Sequence, residues 1–509
     1  MNLARLLVAL SLLGAGWWLL SARPALGGRD GGGGPVGGRG IGLLPPRSEL
    51  AGAPSARWAR RSELRSLVVR NPTAGRLTLG RARRRLIAAE PGCSVLVVGP
   101  TQSRKTSGLA VPAVLEWEGP LLAASVKSDL ARHTVDWRRA RGEVWVYDPS
   151  GSTGLGSATW SPLSQAGTWS GARRVARSLT EVARSSAGSL TDGDFWYATA
   201  AKLLGPLLMA AAVSGRGMSD VVRWVDTQEV DEVAAALEMA VSAGTSGVAE
   251  ALQALEASSG REARQKSAVY TTAETVVEPF ADPAVARSCD ALGAGGAGGG
   301  AVDPARLLDG DNTLYLCAPT HDQRRLRPLF ATLVTQVIEA AYERAELRGA
   351  ALDPRLLVVL DEAANVAPVA ELDVLASTAT GHGVQLVTVW QDLGQITARY
   401  GPRAGSVVNN HRAKVFLSGI ADTQTLEHAS QLIGDAEHPS VATTSDGRSN
   451  SSTTRSPVVR RLLPGDALRR VPPGGAVVVS GHLPPVRVAL RPWQDDQDLR
   501  RRVEWSRRR

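Results

Sequence analysis

The sequence predicts an α/β protein: a parallel sheet domain, interrupted by an inserted all-α domain and preceded by an N-terminal transmembrane helix. Three observations carry this. Short apolar, β-branched runs alternate with helical patterns in two separate stretches, as in CSVLVVGP at 93–100 followed by SGLAVPAVLEW. From about Ser161 to Pro304 the texture turns to alanine-rich helical patterns such as EVDEVAAALEMAVSAG. Leu6–Leu20, LLVALSLLGAGWWLL, contains no charged residue.

In chain order, we place a membrane anchor at 1–26, a Gly/Pro-rich linker at 27–60, and the first part of the sheet domain at 61–160. The all-α domain then covers 161–305, the second part of the sheet domain 306–495, and a basic tail 496–509. The paired tryptophans ending the apolar run suit a membrane interface. Arg23, Arg29, Arg39 and Arg47 follow it, against Arg5 before it, so the positive-inside rule puts the bulk of the chain in the cytoplasm. A cleaved signal peptide is the rival reading, with Ala25-Leu26-Gly27 as a small-x-small cleavage pattern.

Strands are expected at CSVLVVGP, GPLLAASVKSDL and GEVWVYDPSG, with a helix kinked at Pro112 after the first. FWYATAAKLLGPLLMAAAV, 195–213, is apolar enough to be mistaken for a span, but Lys202 interrupts it, so it reads as a buried core helix. Strands return with NTLYLCAP, RLLVVLDEA, VQLVTVWQD and AKVFLSG, and GGAVVVSGHLPPVRVAL closes as a strand pair. GAGGAGGG at 293–300 and the polar TTSDGRSNSSTTRS at 443–456 are expected to be mobile loops.

A length of 509 residues suggests two or three domains, and 43% hydrophobic residues suffice for a large core. The net charge of +9 permits contact with nucleic acid or an anionic membrane and proves neither. Cys93, Cys289 and Cys317 are odd in number and far apart, which argues against a disulfide framework or a zinc site and fits a reducing cytoplasm.

The chemistry concentrates in three places. The first is Gly99-Pro100-Thr101-Gln102-Ser103-Arg104-Lys105-Thr106-Ser107, between a strand and a helix. A phosphate-binding loop has Gly, four residues, Gly, Lys, then Ser or Thr, and Arg104 replaces its second glycine. In such a loop, backbone N–H groups and the helix N-terminus hold phosphate oxygens. Lys105 would reach the β- and γ-phosphates, and Thr106 would coordinate Mg²⁺. An ordinary strand–turn–helix containing a lysine is the plain alternative.

The second is Asp361-Glu362, delivered by the apolar run LLVVL. Asp361 would hold Mg²⁺ and Glu362 would act on the attacking water as general base; the plain alternative is a solvated acidic turn. The third is Gln391, after the next strand, placed to hydrogen-bond the γ-phosphate or water, or simply to cap the strand. The loop and the acidic pair together imply an ATPase that uses ATP and Mg²⁺.

The stretch LDEAANVAPVAELDVLASTATGHGVQLVTVWQDLGQITARYG, 360–401, resembles the type IV coupling proteins, the TraG/TraD-like ATPases of conjugation and type IV secretion. GPTQSRKTSG, SVKSDLARHT, VYDPSG, LYLCAPTHDQRRLRPL, KVFLSG and LPPVRVALRPW resemble family motifs in the same order, over roughly 80–495. The resemblance implies a RecA-like P-loop ATPase domain with an all-α insertion and a membrane anchor, assembled as a homo-hexamer at the inner membrane. The implied partners are single-stranded DNA with relaxase or relaxosome proteins, and the type IV secretion channel components. The implied work is ATP-driven transfer of single-stranded DNA.

Two departures stand out. Arg104 occupies a glycine position. Thr380 stands where many members carry an arginine acting on the neighbouring subunit's ATP; Arg399, Arg403 and Arg412 are candidates to replace it. Arg324, Arg325 and Arg327 cluster in an expected loop and could touch DNA phosphates, or be a solvated turn. Two other readings stay open: an FtsK-like double-stranded DNA pump, and a docking receptor that binds nucleotide with little or no hydrolysis.

Overall fold

The structure is a computed structural model, and it describes residues 55–156, 158–186, 193–289, 300–319, 321–365, 369–446 and 450–505. The expected transmembrane helix, the linker up to residue 54, the glycine run at 293–299 and the last four residues lie outside the described residues. Residues 55–509 form one compact unit.

Fourteen strands are described: β1 (Val68–Val69), β2 (Thr78–Ala82), β3 (Arg85–Ala88), β4 (Val95–Val98), β5 (Leu121–Ser125), β6 (Val144–Tyr147), β7 (Thr313–Cys317), β8 (Leu356–Asp361), β9 (Val384–Trp390), β10 (Ala413–Leu417), β11 (Asp435–Asp446), β12 (Asn450–Arg461), β13 (Gly475–Ser480) and β14 (Val486–Ala489). Twelve form one sheet in the order β1-β3-β2-β14-β13-β10-β4-β9-β8-β5-β7-β6. The run from β10 to β6 is parallel throughout, and the strands beyond β10 add antiparallel to it.

Strands β4, β5, β7, β8 and β9 are buried at every position. Unbroken apolar runs are what a parallel sheet covered on both faces demands. Alternation along β4 divides the core: Leu96 and Val98 pack into one cluster, Val95 and Val97 into the other. The first cluster continues into the helices between β6 and β7, so sheet and insertion share apolar packing.

Those helices are Trp169–Ser186, Gly193–Ser214, Met218–Asp226, Asp231–Ser242, Val248–Ser259, Ala263–Val277 and Pro283–Cys289. Gly193–Ser214 is, among the described residues, the helix long and apolar enough to cross a membrane, yet 67% of its most apolar stretch is buried within the protein. It is a core helix, as Lys202 implied, and Lys202 itself is exposed.

Three local readings change. The helix after the loop opens with a wider π-helical stretch, Thr106–Ala110, and turns α-helical at Val111–Glu116, with Pro112 just after the change. The polar segment expected as a loop runs as the antiparallel ribbon β11–β12, paired from Asp435↔Arg461 to Asp446↔Asn450. A partner strand satisfies the backbone there, and composition carries no record of that partner. Arg324, Arg325 and Arg327 lie in the first turns of the helix Gln323–Arg348 rather than in a loop.

Candidate functional site

Parallel packing puts the carboxyl ends of β4, β9, β8 and β5 side by side. Val98 is paired with Trp390, Leu360 with Thr388, and Ser125 with Asp361. The loop after β4, Gln391 after β9 and the acidic pair at the end of β8 therefore meet at one edge, where open α/β sheets bind ligands. Strand β9 intervenes between the loop strand and the acidic strand.

The loop is held from within. The Gly99 amide donates to the Trp390 carbonyl at 3.0 Å. A side chain at Gly99 would press on Leu417 at 2.7 Å, so β10 requires glycine there. Ser103 Oγ donates to the Pro100 carbonyl at 2.7 Å, and Lys105 Nζ donates to the carbonyls of Gly99 at 2.8 Å and Pro100 at 2.6 Å. Lys105 is 7% exposed. Burial lowers its pKa, opposed by the Asp361 and Glu362 charges.

Arg104 adopts the backbone of the missing glycine. Its φ is +66°, Gln102 has +64°, and the following Lys105 returns to −52°. Left- and right-handed residues in succession turn their N–H groups to a common side, a concavity suited to anions. The guanidinium reaches Asp495, Nη1 to Oδ2 at 3.1 Å, with both side chains exposed. An exposed pair of this kind contributes at most about 1 kcal/mol, so Arg104 is tolerated here rather than required. Arg104→Gly should keep stability within about 1 kcal/mol of the original. Arg104→Val should cost about 1–3 kcal/mol, because a β-branched residue resists positive φ. Thermal unfolding of both variants checks this.

Opposite the loop, Thr106 Oγ1 donates to Asp361 Oδ2 at 2.9 Å, and Ser125 Oγ lies 3.4 Å from the same oxygen. Asp361 is 3% exposed, and its Oδ1 is buried with no hydrogen-bond partner. Burial pushes the Asp361 carboxyl up, against the Thr106 hydrogen bond and the Lys105 charge. A threonine hydroxyl beside a buried carboxylate with one orphaned oxygen fits a hard divalent cation such as Mg²⁺. Among the described residues no group of three or more His, Cys, Asp or Glu could hold a metal alone. Phosphate oxygens and water would have to complete the shell.

Ionising Asp361 thus costs the folded protein stability, because its folded pKa lies above the unfolded one. The cost is absent below about pH 4 and grows as pH rises through the folded value. Asp361→Asn should raise the melting temperature of the nucleotide-free protein at neutral pH and abolish the further stabilisation by Mg²⁺ with ATP. Melting curves across pH, with and without Mg²⁺-ATP, check both halves.

Glu362 sits at φ +62° at the head of a tight turn. Asn365 Nδ2 donates to Glu362 Oε2 at 3.3 Å, and the Asn365 amide donates to the Glu362 carbonyl at 2.8 Å. Arg327 Nε and Nη2 in turn donate to the Asn365 carbonyl at 2.9 Å and its Oδ1 at 3.1 Å. This arginine braces the acidic turn. Its neighbour Arg325 is tied to Asp282 at 2.7 Å and Asp322 at 3.1 Å. Gln391 stands at the right edge, and its amide donates to Gln395 Oε1 at 3.1 Å.

A cleft of about 370 Å³ joins these parts. Thr101, Gln102, Arg104, Lys105, Thr106 and Ser107 line it with Asp361 and Glu362; Gly99, Pro100, Ser103 and Gln391 do not. Lys127, His133, Trp493 and Gln494 also line it and escaped sequence reading, although SVKSDL and the RPW ending are motif-like. A larger cleft of about 860 Å³ lies around Trp58, Arg84 and Arg487, with none of the loop or acidic residues in it.

Thr380 precedes β9, at the opposite end of that strand from Gln391; its hydroxyl donates to the Gly92 carbonyl at 2.8 Å, and Arg355 Nη1 donates to the Thr380 carbonyl at 3.1 Å. Of the candidate arginines, Arg403 pairs with Asp373 at 3.3 Å and Arg412 with Glu90 at 2.6 Å. Burial lowers the pKa of Arg399.

A phosphate-type loop, a hydroxyl-bonded buried aspartate and a following glutamate, on a parallel sheet with one strand between loop and acid, define a P-loop ATPase-like protein. The chain belongs to the family described as Type IV secretory system Conjugative DNA transfer, which it matches over residues 67–506. It is 24% identical over 405 residues to the conjugal transfer protein TraG of Escherichia coli, covering 74% of this chain and 61% of that one. It is 24% identical over 411 residues to TraG of Agrobacterium fabrum strain C58, covering 78% and 59%. The chain thus spans about three fifths of the length of these curated relatives. Its fold is that of the bacterial conjugative coupling protein TrwBdeltaN70, with a TM-score of 0.64, 17% identity, and 87% and 93% of the two chains covered. The plasmid coupling protein TrwB in complex with ADP and Mg²⁺ gives a TM-score of 0.62 at 17% identity, over 86% and 94%.

Proposed function

We propose that the chain is a membrane-anchored ATPase of a type IV secretion or conjugation system. It couples a DNA–relaxase substrate to the transfer channel and drives single-stranded DNA translocation by ATP hydrolysis. The observation that carries the reading is the Thr106–Asp361 hydrogen bond, with the orphaned Asp361 Oδ1 beside Lys105 and Glu362, in a chain of the conjugative DNA transfer family. Complexes of the structural neighbour TrwB with ADP and Mg²⁺ and with a non-hydrolysable ATP analogue support it.

In this reading the amides of residues 99–107 cradle the phosphates, and Lys105 exchanges its bonds to loop carbonyls for β- and γ-phosphate oxygens. Thr106 and Asp361 hold Mg²⁺, which when bound neutralises developing phosphate charge. Glu362, steadied by Asn365, orients a water and takes its proton as the oxygen attacks the γ-phosphorus. The bond to the β–γ bridging oxygen breaks, ADP and phosphate leave, and Glu362 returns its proton to solvent. Gln391 follows the strand between loop and acid and is the proposed γ-phosphate sensor, although it does not line the cleft itself.

The apolar run Leu6–Leu20 supplies the inner-membrane anchor, leaving the bulk cytoplasmic. The working form is a homo-hexamer that engages single-stranded DNA, relaxase or relaxosome proteins and channel components. The test is ATP hydrolysis by the full chain, with and without single-stranded DNA. Turnover stimulated by DNA supports the motor. ATP binding without turnover in the assembled ring favours a docking receptor, the reading that Arg104 and Thr380 motivate.

A further inference from the structure

The cleft is lined by chemically different groups. Lys105, Thr106, Asp361 and Glu362 suit phosphate and its cation. His133, from the helix Asp129–Arg139, and Trp493, from the segment after β14, add aromatic surface. Their ring centroids are 4.6 Å apart at an interplanar angle of 44°. Both residues are half-buried, they share the cleft with Val111 and Val126, and Trp493 also packs against the second apolar cluster.

Trp493 is fixed in register with the loop. Its amide donates to the Ser107 carbonyl at 3.0 Å, one residue beyond the hydroxyl that bonds Asp361. The segment behind it is rigid. A side chain at Gly108 would meet Leu490 at 3.1 Å, and Arg491 is bound to Glu116 at 2.6 Å and to Asp496 at 2.9 Å. The Trp493 backbone is thus tied to the first turn of the loop helix, and its indole lines the same cleft as the residues suited to phosphate. A flat aromatic face contributes to binding any base through stacking, whatever its hydrogen-bonding edge.

We propose that Trp493, backed by His133, is the platform on which the purine base of the bound nucleoside triphosphate stacks. The C-terminal segment 490–496 is then part of the nucleotide site. This inference rests on the nucleotide-binding reading above, and the test separates the two. The full chain is titrated calorimetrically with Mg²⁺-ATP and, as a base-free probe, with Mg²⁺ and inorganic tripolyphosphate. Wild type, Trp493→Ala and Trp493→Phe are compared.

Trp493→Ala should weaken ATP binding about tenfold and leave tripolyphosphate binding unchanged, while Trp493→Phe, which keeps an aromatic face, restores most of the loss. Equal weakening of both ligands would make Trp493 a structural clamp on the loop and overturn the platform. Unchanged ATP binding in Trp493→Ala overturns it too. A wild type that binds neither ligand overturns the nucleotide reading itself, and the platform with it.

Discussion

Glu362→Gln should reduce ATP turnover by about 10²–10⁴-fold while leaving ATP binding intact. The substitution keeps the volume and leaves an amide oxygen that can accept the Asn365 Nδ2 hydrogen bond, now 3.3 Å long. The brace from Arg327 to Asn365 is untouched. What is lost is the ability to take a proton from water. The readout is steady-state hydrolysis with saturating single-stranded DNA, beside equilibrium ATP binding. Turnover at the original rate would mean that Glu362 is not the general base. Loss of binding together with turnover would instead show that the turn had collapsed.

Arg491→Ala should destabilise the protein by about 3–5 kcal/mol, the usual cost of removing one partner of a buried ion pair. The Arg491 side chain is 5% exposed and Glu116 is 6% exposed, so the variant strands a carboxylate with little access to water. Thr78 Oγ1 donates to Glu116 Oε2 at 2.5 Å, one of the few compensating bonds left. The pH dependence gives a second signature. Burial pushes the Asp496 carboxyl up, but the hydrogen bond and charge of Arg491 outweigh it and hold it below its ordinary value. A lowered carboxylate pKa stabilises at neutral pH, and that contribution fades as pH falls through the lowered value. In Arg491→Ala this acid-side loss should shrink, and the gap to wild type should narrow on acidification. Melting temperatures at neutral and acidic pH decide the matter; parallel curves would refute a charge role.

Much of the site was legible because its chemistry is local. A phosphate loop needs consecutive residues, and Gly99, Lys105 and Thr106 sit seven positions from end to end, between an apolar run and a helix. The acidic pair was legible because a fully buried strand has to be an unbroken apolar run, and LLVVL ends on it. The short, arginine-rich β2 and β3 went unread, since TLGRA and RLIA have little periodicity and gain their place by pairing with each other and with β14. The bracing role of Arg327 is not legible in the sequence, which leaves DNA contact and a solvated turn equally open, because its partner Asn365 lies 38 residues away.

By itself, then, the sequence determined the α/β class, the helical insertion, and the candidate residues proposed to hold phosphate and a divalent cation. Each depends on residue type and spacing along a few turns or one strand. Only the tertiary structure decided the strand order that puts β9 between loop and acid, the positive φ that lets Arg104 serve at a glycine position, and the meeting of His133 with Trp493 across 360 residues of chain. Those outcomes are settled by crossover connections, loop closure and the packing of distant segments, and the cost of each is balanced by contacts that no local window contains.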